Sequence, residues 1–158
     1  MKYEFTGETK VEFGVTFKRI RALVAIAPIG IGVGDVGGWV EKESNLSQSV
    51  GNAWVSGNAR VSDNARVYGD AWVYGNAWVS DSAQVSDNAW VSDNAQVSGN
   101  AQMYGDAQVY GDAWVYGDAR VSGNAQVSGS AWVSDNARVS GNAWVSGDAW
   151  VYGNTWVY

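Results

Sequence analysis

A glycine-rich motif near the N-terminus has the spacing of a dinucleotide-binding loop. Gly32, Gly34 and Gly37 fit the pattern G-x-G-x-x-G. Such a site needs a strand before the motif and a helix after it, because the N-terminus of the helix holds the pyrophosphate. The following residues, GWVEKESNLSQ, have no helical period and lead into a β-type repeat. We therefore interpret the motif as a flexible loop of an N-terminal cap, with no cofactor.

Aspartates that recur along the chain are the residues with metal-binding chemistry. Asp63 and Asp81 occupy equivalent positions in successive turns of the repeat described below. A calcium site needs six to eight oxygen ligands, and the nonapeptide calcium repeats place Asp on a denser glycine-rich frame. The chain has no cysteine, which excludes thiolate metal sites. We expect solvated turn residues and no metal.

The element that must position all these side chains is a strict six-residue repeat. From Val55 onward every sixth residue is Val, except Met103. Ala stands two residues before each of them, from Ala53 to Ala149, and Thr155 breaks the series. The unit is A-x-V-[SY]-[GD]-[NDS]. Ala and Val point to one side of a strand, x and Ser/Tyr to the other, and the last two residues form a turn. The strands of successive coils are expected to stack in parallel, about 4.8 Å apart.

The repeat resembles the hexapeptide-repeat proteins, in which an aliphatic residue recurs every six positions and a small residue follows it four places later. Val55 with Ala59 and Val61 with Ala65 match this pattern. The resemblance implies an all-β fold, a left-handed parallel β-helix of triangular section with three hexads, or about 18 residues, per coil. The 17 complete hexads of residues 55–156 then give about six coils.

The residues at the x position support a three-sided coil. When the x residues of every third hexad are collected, they form three columns. Two columns are rich in Trp, whereas the third holds Arg and Gln until its last member. The columns are Trp54, Trp72, Trp90, Gln108, Gln126, Trp144; Arg60, Trp78, Gln96, Trp114, Trp132, Trp150; and Arg66, Gln84, Gln102, Arg120, Arg138, Trp156. A period of six alone does not produce this segregation.

The tryptophans are predicted to lie outside the coil, because an interior of Val and Ala has no room for an indole. They either stack as ladders that cover the sheet or form an interface, since large apolar patches commonly mark one. The last rung, with Thr155 in place of Ala, presents an open parallel edge that invites pairing with another chain. The interface candidates are Trp54, Trp72, Trp78, Trp90, Trp114, Trp132, Trp144, Trp150, Trp156 and Tyr158.

The N-terminal third of the chain differs from the repeat. Residues 1–48 are predicted to form a β-hairpin cap and a junction, with Gly7 and Gly14 between the strands, and residues 49–158 the β-helix. The junction GDVGGWVEKESNLSQ, residues 34–48, resembles the GDxGGWxEKExNLSQ-like segment of a group of uncharacterised bacterial and bacteriophage proteins. This resemblance implies a phage or prophage setting. Val50 departs from the pattern of that group.

The resemblance to the hexapeptide class also bears on catalysis. Its acyltransferases use a histidine as general base, and the carbonic anhydrases on a similar helix hold zinc with histidines. This chain has no histidine. Exposed corner aspartates stay ionised near neutral pH and replace that base poorly. We predict a protein that is not an enzyme.

Charge and hydropathy restrict the partners. The net charge is −6, and residues 49–158 carry four Arg against ten Asp, so direct nucleic-acid binding is not expected. The apolar run ALVAIAPIGIGVG is too short to span a membrane. Because it contains Pro28 and follows a strand-like N-terminus, it is also a poor signal peptide. We expect a protein of the bacterial cytoplasm or of a virion.

The sequence thus predicts a structural or scaffold β-solenoid that self-associates as a lateral trimer or an end-to-end dimer. Two alternatives remain, both of them binding modules. One is an acidic rod that mimics nucleic acid or captures a host protein. The other is a glycan-binding component of a virion. Acyl transfer is the least favoured function.

Overall fold

The computed structural model describes residues 1–49 and 51–158. Val50, where the sequence departs from the junction pattern, lies outside the described residues. Three strands lie in the N-terminal region, β1 (Tyr3–Glu12), β2 (Val15–Ala22) and β3 (Val36–Val40). Two single-turn 3₁₀ helices, Ala27–Ile29 and Glu43–Asn45, lie between and after them.

The hexads form eighteen two-residue strands, one for each side of the coil. In chain order these are β4 (Trp54–Val55), β5 (Arg60–Val61), β6 (Arg66–Val67), β7 (Trp72–Val73), β8 (Trp78–Val79), β9 (Gln84–Val85), β10 (Trp90–Val91), β11 (Gln96–Val97), β12 (Gln102–Met103), β13 (Gln108–Val109), β14 (Trp114–Val115), β15 (Arg120–Val121), β16 (Gln126–Val127), β17 (Trp132–Val133), β18 (Arg138–Val139), β19 (Trp144–Val145), β20 (Trp150–Val151) and β21 (Trp156–Val157).

The strands pair in parallel with the strand one coil away, in three sheets that we call faces 1, 2 and 3. Trp54 pairs with Trp72 and Trp90 with Gln108, so the register is 18 residues. Face 1 contains β4, β7, β10, β13, β16 and β19; face 2 contains β3, β5, β8, β11, β14, β17 and β20; and face 3 contains β6, β9, β12, β15, β18 and β21. The predicted parallel β-solenoid with three-sided coils is confirmed.

The solenoid has about seven coils rather than the six predicted. Six complete coils begin at β4, and the junction adds a partial coil before them. In this added coil β3 pairs in parallel with β5, and Leu46 forms a parallel bridge to Val67. The hexad spelling is absent from the junction, and each junction residue pairs with a residue 21 positions further on rather than 18. The sequence repeat therefore undercounted the coils.

The interior is a column of Val and Ala, as the alternation of the repeat predicts. From Ala53 to Val139 the inward residues are buried, including Met103, which replaces a Val on face 3. Met103 pairs with Val85 and Val121 of the neighbouring coils, so its longer side chain does not shift the strand register. Burial of apolar surface stabilises a fold by about 25 cal/mol per Å², so this column is the main stabilising element of the rod.

The N-terminal segment covers one end of the rod. β1 and β2 form an antiparallel hairpin, and β2 pairs antiparallel with the outer edge of β3. The hairpin turn contains Phe13 and Gly14, both with positive φ. Gly7 was expected between strands, but it lies inside β1 at an irregularity between Phe5 and Thr9. Because β2 occupies the β3 edge, this end of the stack has no free strand on face 2.

Side chains of the junction attach the cap to the coils. The Gln48 side chain accepts hydrogen bonds from the backbone N–H groups of Lys2 and Tyr3 and donates one to the Tyr3 carbonyl. The Tyr3 hydroxyl lies 3.0 and 3.1 Å from the carbonyl oxygens of Glu43 and Leu46. Burial, together with the nearby Glu43 carboxylate, raises the pKa of Tyr3. The junction thus serves as the joint between hairpin and rod.

Within residues 1–49 and 51–158, neither helical segment has the length and hydropathy needed to cross a membrane.

Candidate functional site

The outward tryptophans lean on the preceding coil and bond to it. Trp72 Nε1 donates to Ser56 Oγ at 2.9 Å, and Trp78 and Trp114 make the same bond to the serine 16 residues earlier. These indoles are half-buried. The ladder interpretation therefore accounts for these three tryptophans, because each covers sheet surface and satisfies its own N–H group.

Ring contacts extend these ladders on faces 1 and 2. Trp72 meets Trp90 edge-on with centroids 5.6 Å apart, and Trp114 meets Trp132 in the same way at 5.5 Å. At the end of face 2 the geometry changes, since Trp132 and Trp150 stack almost parallel, 5.0 Å apart with a 4° interplanar angle. Aromatic pairs of this kind contribute about 0.5–1.5 kcal/mol beyond the area that they bury.

Trp54 cannot be an interface residue, contrary to the prediction. Its exposed fraction is 0%. A Cβ atom placed on Gly37 would lie 2.8 Å from Trp54 Cζ2 and 2.7 Å from Ile20 Cγ1, so β2 and β3 cover the indole. The third glycine of the G-x-G-x-x-G motif is therefore a packing residue, and the motif runs into strand β3, which begins at Val36, rather than into a helix.

Trp78 is also covered by the cap, although less completely. Phe13 at the hairpin turn stacks on it with centroids 5.2 Å apart, and Phe17 approaches it edge-on at 6.4 Å. The Arg60 guanidinium lies 4.7 Å from the ring centroid and forms an ion pair with Glu12. The hairpin thus occupies the outer surface of face 2 over its first coils.

The exposed aromatics concentrate in the C-terminal coil, β19–β21. Trp144, Trp150 and Trp156 are 66%, 64% and 62% exposed, and Tyr158 is 84% exposed. Within the described residues none of the three indole N–H groups donates a hydrogen bond, although a serine stands 16 residues before each. On face 3 the Arg138 guanidinium lies 5.1 Å from the Trp156 ring centroid.

The C-terminal coil also leaves its interior and its strand edges open. Ala149 and Thr155, at inward positions, are exposed, and Val157 is only half-buried. In the coil before, the N–H groups of Ser128 and Ser134 donate to the carbonyls of Val145 and Val151, both at 2.9 Å. The equivalent N–H groups of the C-terminal coil have no acceptor among the described residues. We refer to this surface as the open end.

The corner aspartates are structural. Asp63, Asp81, Asp87, Asp93 and Asp135 have φ between 57° and 58°, in the left-handed region where Gly stands at the other corners. Each carboxylate accepts a hydrogen bond from the backbone N–H of the corner one coil further on. In the described part of the chain no group of three or more His, Cys, Asp and Glu side chains is placed to hold a metal ion.

The repeat itself matches a known family. The family described as YdcK Beta solenoid repeat matches nine stretches, which are residues 59–75, 65–81, 71–87, 83–99, 101–117, 107–123, 113–129, 119–135 and 131–147. Together they span more than half of the chain. This chain belongs to the YdcK β-solenoid repeat family. The YdcK-type repeats extend from β5 to β19, so they include most of the ladder tryptophans but neither the cap nor the end of the C-terminal coil. No curated protein sequence is significantly similar to the chain.

Sequence reasoning missed the residues that decide which tryptophans stay free. Gly37, Phe13 and Ile20 lie outside the repeat, and no periodic signal marks their partners. The only available signals were two adjacent glycines before Trp39 and a Phe at the hairpin turn. The predicted partners, the self-association and the absence of catalysis remain predictions.

Proposed function

We propose that this chain is a structural, non-enzymatic β-solenoid whose copies associate end to end through their C-terminal coils. The observation that carries the proposal is the open end, where an apolar interior and unpaired strand edges lie together. Association is favoured at such a surface, because the free energy falls when a matching surface covers the apolar interior and pairs the free strand edges.

A second copy is the occupant that fits the shape of this surface. The open end presents three strand edges, one on each side of a triangle, around an apolar centre at Ala149, Thr155 and Val157. A two-fold axis across the end brings three equivalent edges from another chain, and the facing strands then run antiparallel. Antiparallel pairing satisfies the ladder at least as well as parallel pairing does.

The capped N-terminus supports a closed dimer over a filament. A filament would require the open end of one copy to pair with the first coil of the next. In that coil β2 already pairs with the edge of β3 on face 2. A contact between two identical ends is isologous and closes on itself, as in most homodimers.

The non-enzymatic role and the origin of the protein are also parts of this proposal. The absence of histidine supports a non-enzymatic role within the hexapeptide-repeat class, because the catalytic base of that class is missing. The resemblance of residues 34–48 to a bacterial and bacteriophage junction supports a phage or prophage origin. On that origin the protein acts in the bacterial cytoplasm or in the virion.

The test is the solution mass of the chain and of a charge variant. Light scattering is expected to give a dimer for the unchanged protein. Thr155→Lys places an ammonium group on the open end, where pairing would bury it without a partner, so this variant is expected to be a monomer. Because Thr155 is exposed, the circular dichroism spectrum should not change.

Gln96→Lys is the matched control. It makes the same change of charge at an exposed outward position in the middle of face 2, and it should leave the dimer intact. A monomer at tens of micromolar protein would overturn the proposal. A trimer that Gln96→Lys dissociates and Thr155→Lys does not would indicate lateral association through the tryptophan ladders instead.

A further inference from the structure

A cleft of about 310 Å³ lies on the outer surface of face 2, across its last three coils. Its walls are aromatic, with two tryptophans and two tyrosines, and its polar residues are one serine and one aspartate. The lining residues are Tyr116, Trp132, Ser134, Asp135, Trp150 and Tyr152. A volume of roughly 300 Å³ with mainly aromatic walls and a few polar groups is typical of a site for a small molecule. We call it the aromatic cleft.

The repeat explains why a cleft forms at this point. Tyr116, Ser134 and Tyr152 occupy the same position in three successive coils, and the serine is the smallest of the three. In the other hexads of face 2 this position holds serine. The small residue between two large ones leaves a gap, and the stacked indoles of Trp132 and Trp150 form its side.

The polar groups of the aromatic cleft lack protein partners. Ser134 is 7% exposed, and its hydroxyl makes no side-chain hydrogen bond within residues 1–49 and 51–158. On other coils the equivalent serine accepts the indole N–H of the next tryptophan, as Ser98 does from Trp114 at 3.2 Å. Trp150 is stacked on Trp132 instead, so Ser134 Oγ and Trp150 Nε1 are both available to a ligand.

Asp135 supplies a carboxylate that the fold holds in place. Its Oδ2 accepts a hydrogen bond from the Gly153 N–H at 3.1 Å, and its backbone is in the left-handed region. The side chain therefore has a fixed direction, while its other oxygen remains an acceptor for a hydroxyl group. Charged acceptors form the stronger hydrogen bonds to hydroxyl donors.

We propose that the aromatic cleft binds a neutral saccharide, with one pyranose ring against the indoles of Trp132 and Trp150. A pyranose combines an apolar C–H face with a rim of hydroxyl groups. The aromatic walls pack against the C–H face. The rim hydroxyl groups form hydrogen bonds with Ser134, Asp135 and the Trp150 N–H. The cleft uses outward side chains of face 2, whereas the proposed dimer pairs backbone edges; Trp150 and Tyr152 belong to the same C-terminal coil as that edge.

The chain contains a natural comparison for the role of the indoles. On face 3, Tyr68, Ser86 with Asp87, and Tyr104 repeat the same frame and line a cleft of about 370 Å³. In that cleft Gln84 and Gln102 stand where the tryptophans stand in the aromatic cleft. Since it offers no indole to a C–H face, it is not expected to bind the sugar.

The test is saturation-transfer NMR with cellobiose, maltose and chitobiose as probes. Tetramethylammonium is the probe for the alternative class of ligand, a quaternary ammonium cation. We expect transfer to the ring C–H protons of at least one disaccharide. Loss of the indole in Trp150→Ala should weaken its binding by about tenfold. Ser134→Ala and Asp135→Asn should weaken it by about fivefold each, because they remove single hydrogen bonds.

Two matched variants serve as controls. Trp144→Ala removes an equally exposed indole of the same coil, on face 1, and Asp87→Asn changes the equivalent corner of the face 3 cleft. Both should bind as the unchanged protein does. The proposal is overturned if no disaccharide receives transfer, if only tetramethylammonium responds, or if Trp150→Ala binds as tightly as Trp144→Ala.

Discussion

At the residue scale, the corners decide which side chains the coil tolerates. Every corner needs one residue with positive φ, and the chain uses Gly or Asp there. Glycine adopts this conformation without strain, whereas an L residue with a Cβ atom costs about 1 kcal/mol or more. Aspartate offsets that cost through its carboxylate, as the hydrogen bond from the Gly111 N–H to Asp93 Oδ2 at 3.1 Å illustrates.

Substitution of Asp93 tests this balance. Asp93→Ala keeps the strained φ and loses the hydrogen bond, and should lower the free energy of unfolding by about 2 kcal/mol. Asp93→Gly loses the same bond without strain, so it should be more stable than Asp93→Ala by about 1 kcal/mol. Urea unfolding followed by circular dichroism measures both. Equal stability of the two variants would show that strain at the corner is negligible.

At the element scale, charged and aromatic contacts hold the β1–β2 hairpin against face 2. Glu12 forms an ion pair with Arg60, and Lys10 lies 3.1 Å from the same carboxylate. Phe13 stacks on Trp78 next to this pair. The hydrogen bond from Arg60, assisted by Lys10, lowers the pKa of Glu12 from its ordinary value.

The docking of the hairpin should therefore weaken in acid. Because the folded pKa of Glu12 lies below the unfolded one, its contribution is complete above the ordinary pKa of Glu. The contribution is lost as the pH falls through the folded pKa. The protection factors of the hairpin amides, which correct for the intrinsic exchange rate at each pH, should fall across that window, and Glu12→Gln should remove the step. An identical acid step in Glu12→Gln would assign the pH dependence to another group.

At the scale of the whole molecule, the rod is a stack in which each coil is stabilised by its neighbours. Inner coils pair on both sides and the first coil is covered by the cap, whereas among the described residues the C-terminal coil pairs with one neighbouring coil. In such arrays stability is roughly a sum over coils and their interfaces. The C-terminal coil is thus the least stabilised part of an isolated chain.

Hydrogen exchange at two protein concentrations tests this consequence. In dilute solution the N–H of Ser146, which has no acceptor among the described residues, should exchange quickly. The N–H of Ser128, which donates to Val145, should be protected. At high concentration association should protect Ser146 as well, since binding stabilises the bound form by mass action. Full protection of Ser146 in the most dilute sample would mean that the open end is covered without a partner chain.

The sequence by itself determined the architecture of the repeat. Alternation of Ala and Val against the x position fixes which side chains are buried, and the segregation of Trp from Arg and Gln at every third hexad indicates three faces. Both follow from local physics, because a strand exposes alternate residues and the corner residues turn the chain at a constant interval. The register of 18 residues and the burial of the Val column follow directly from these patterns.

Only the tertiary structure decided which tryptophans are free. Trp54 and Trp78 share the outward position of the repeat with Trp144 and Trp150, yet the cap covers the first two. The covering residues come from a segment without a period, so the sequence pattern carries no information on their contacts. Trp144 and Trp150 are exposed at the other end because no coil of the described residues packs on β19 and β20 from that side, although their hexads are spelled like those of the inner coils.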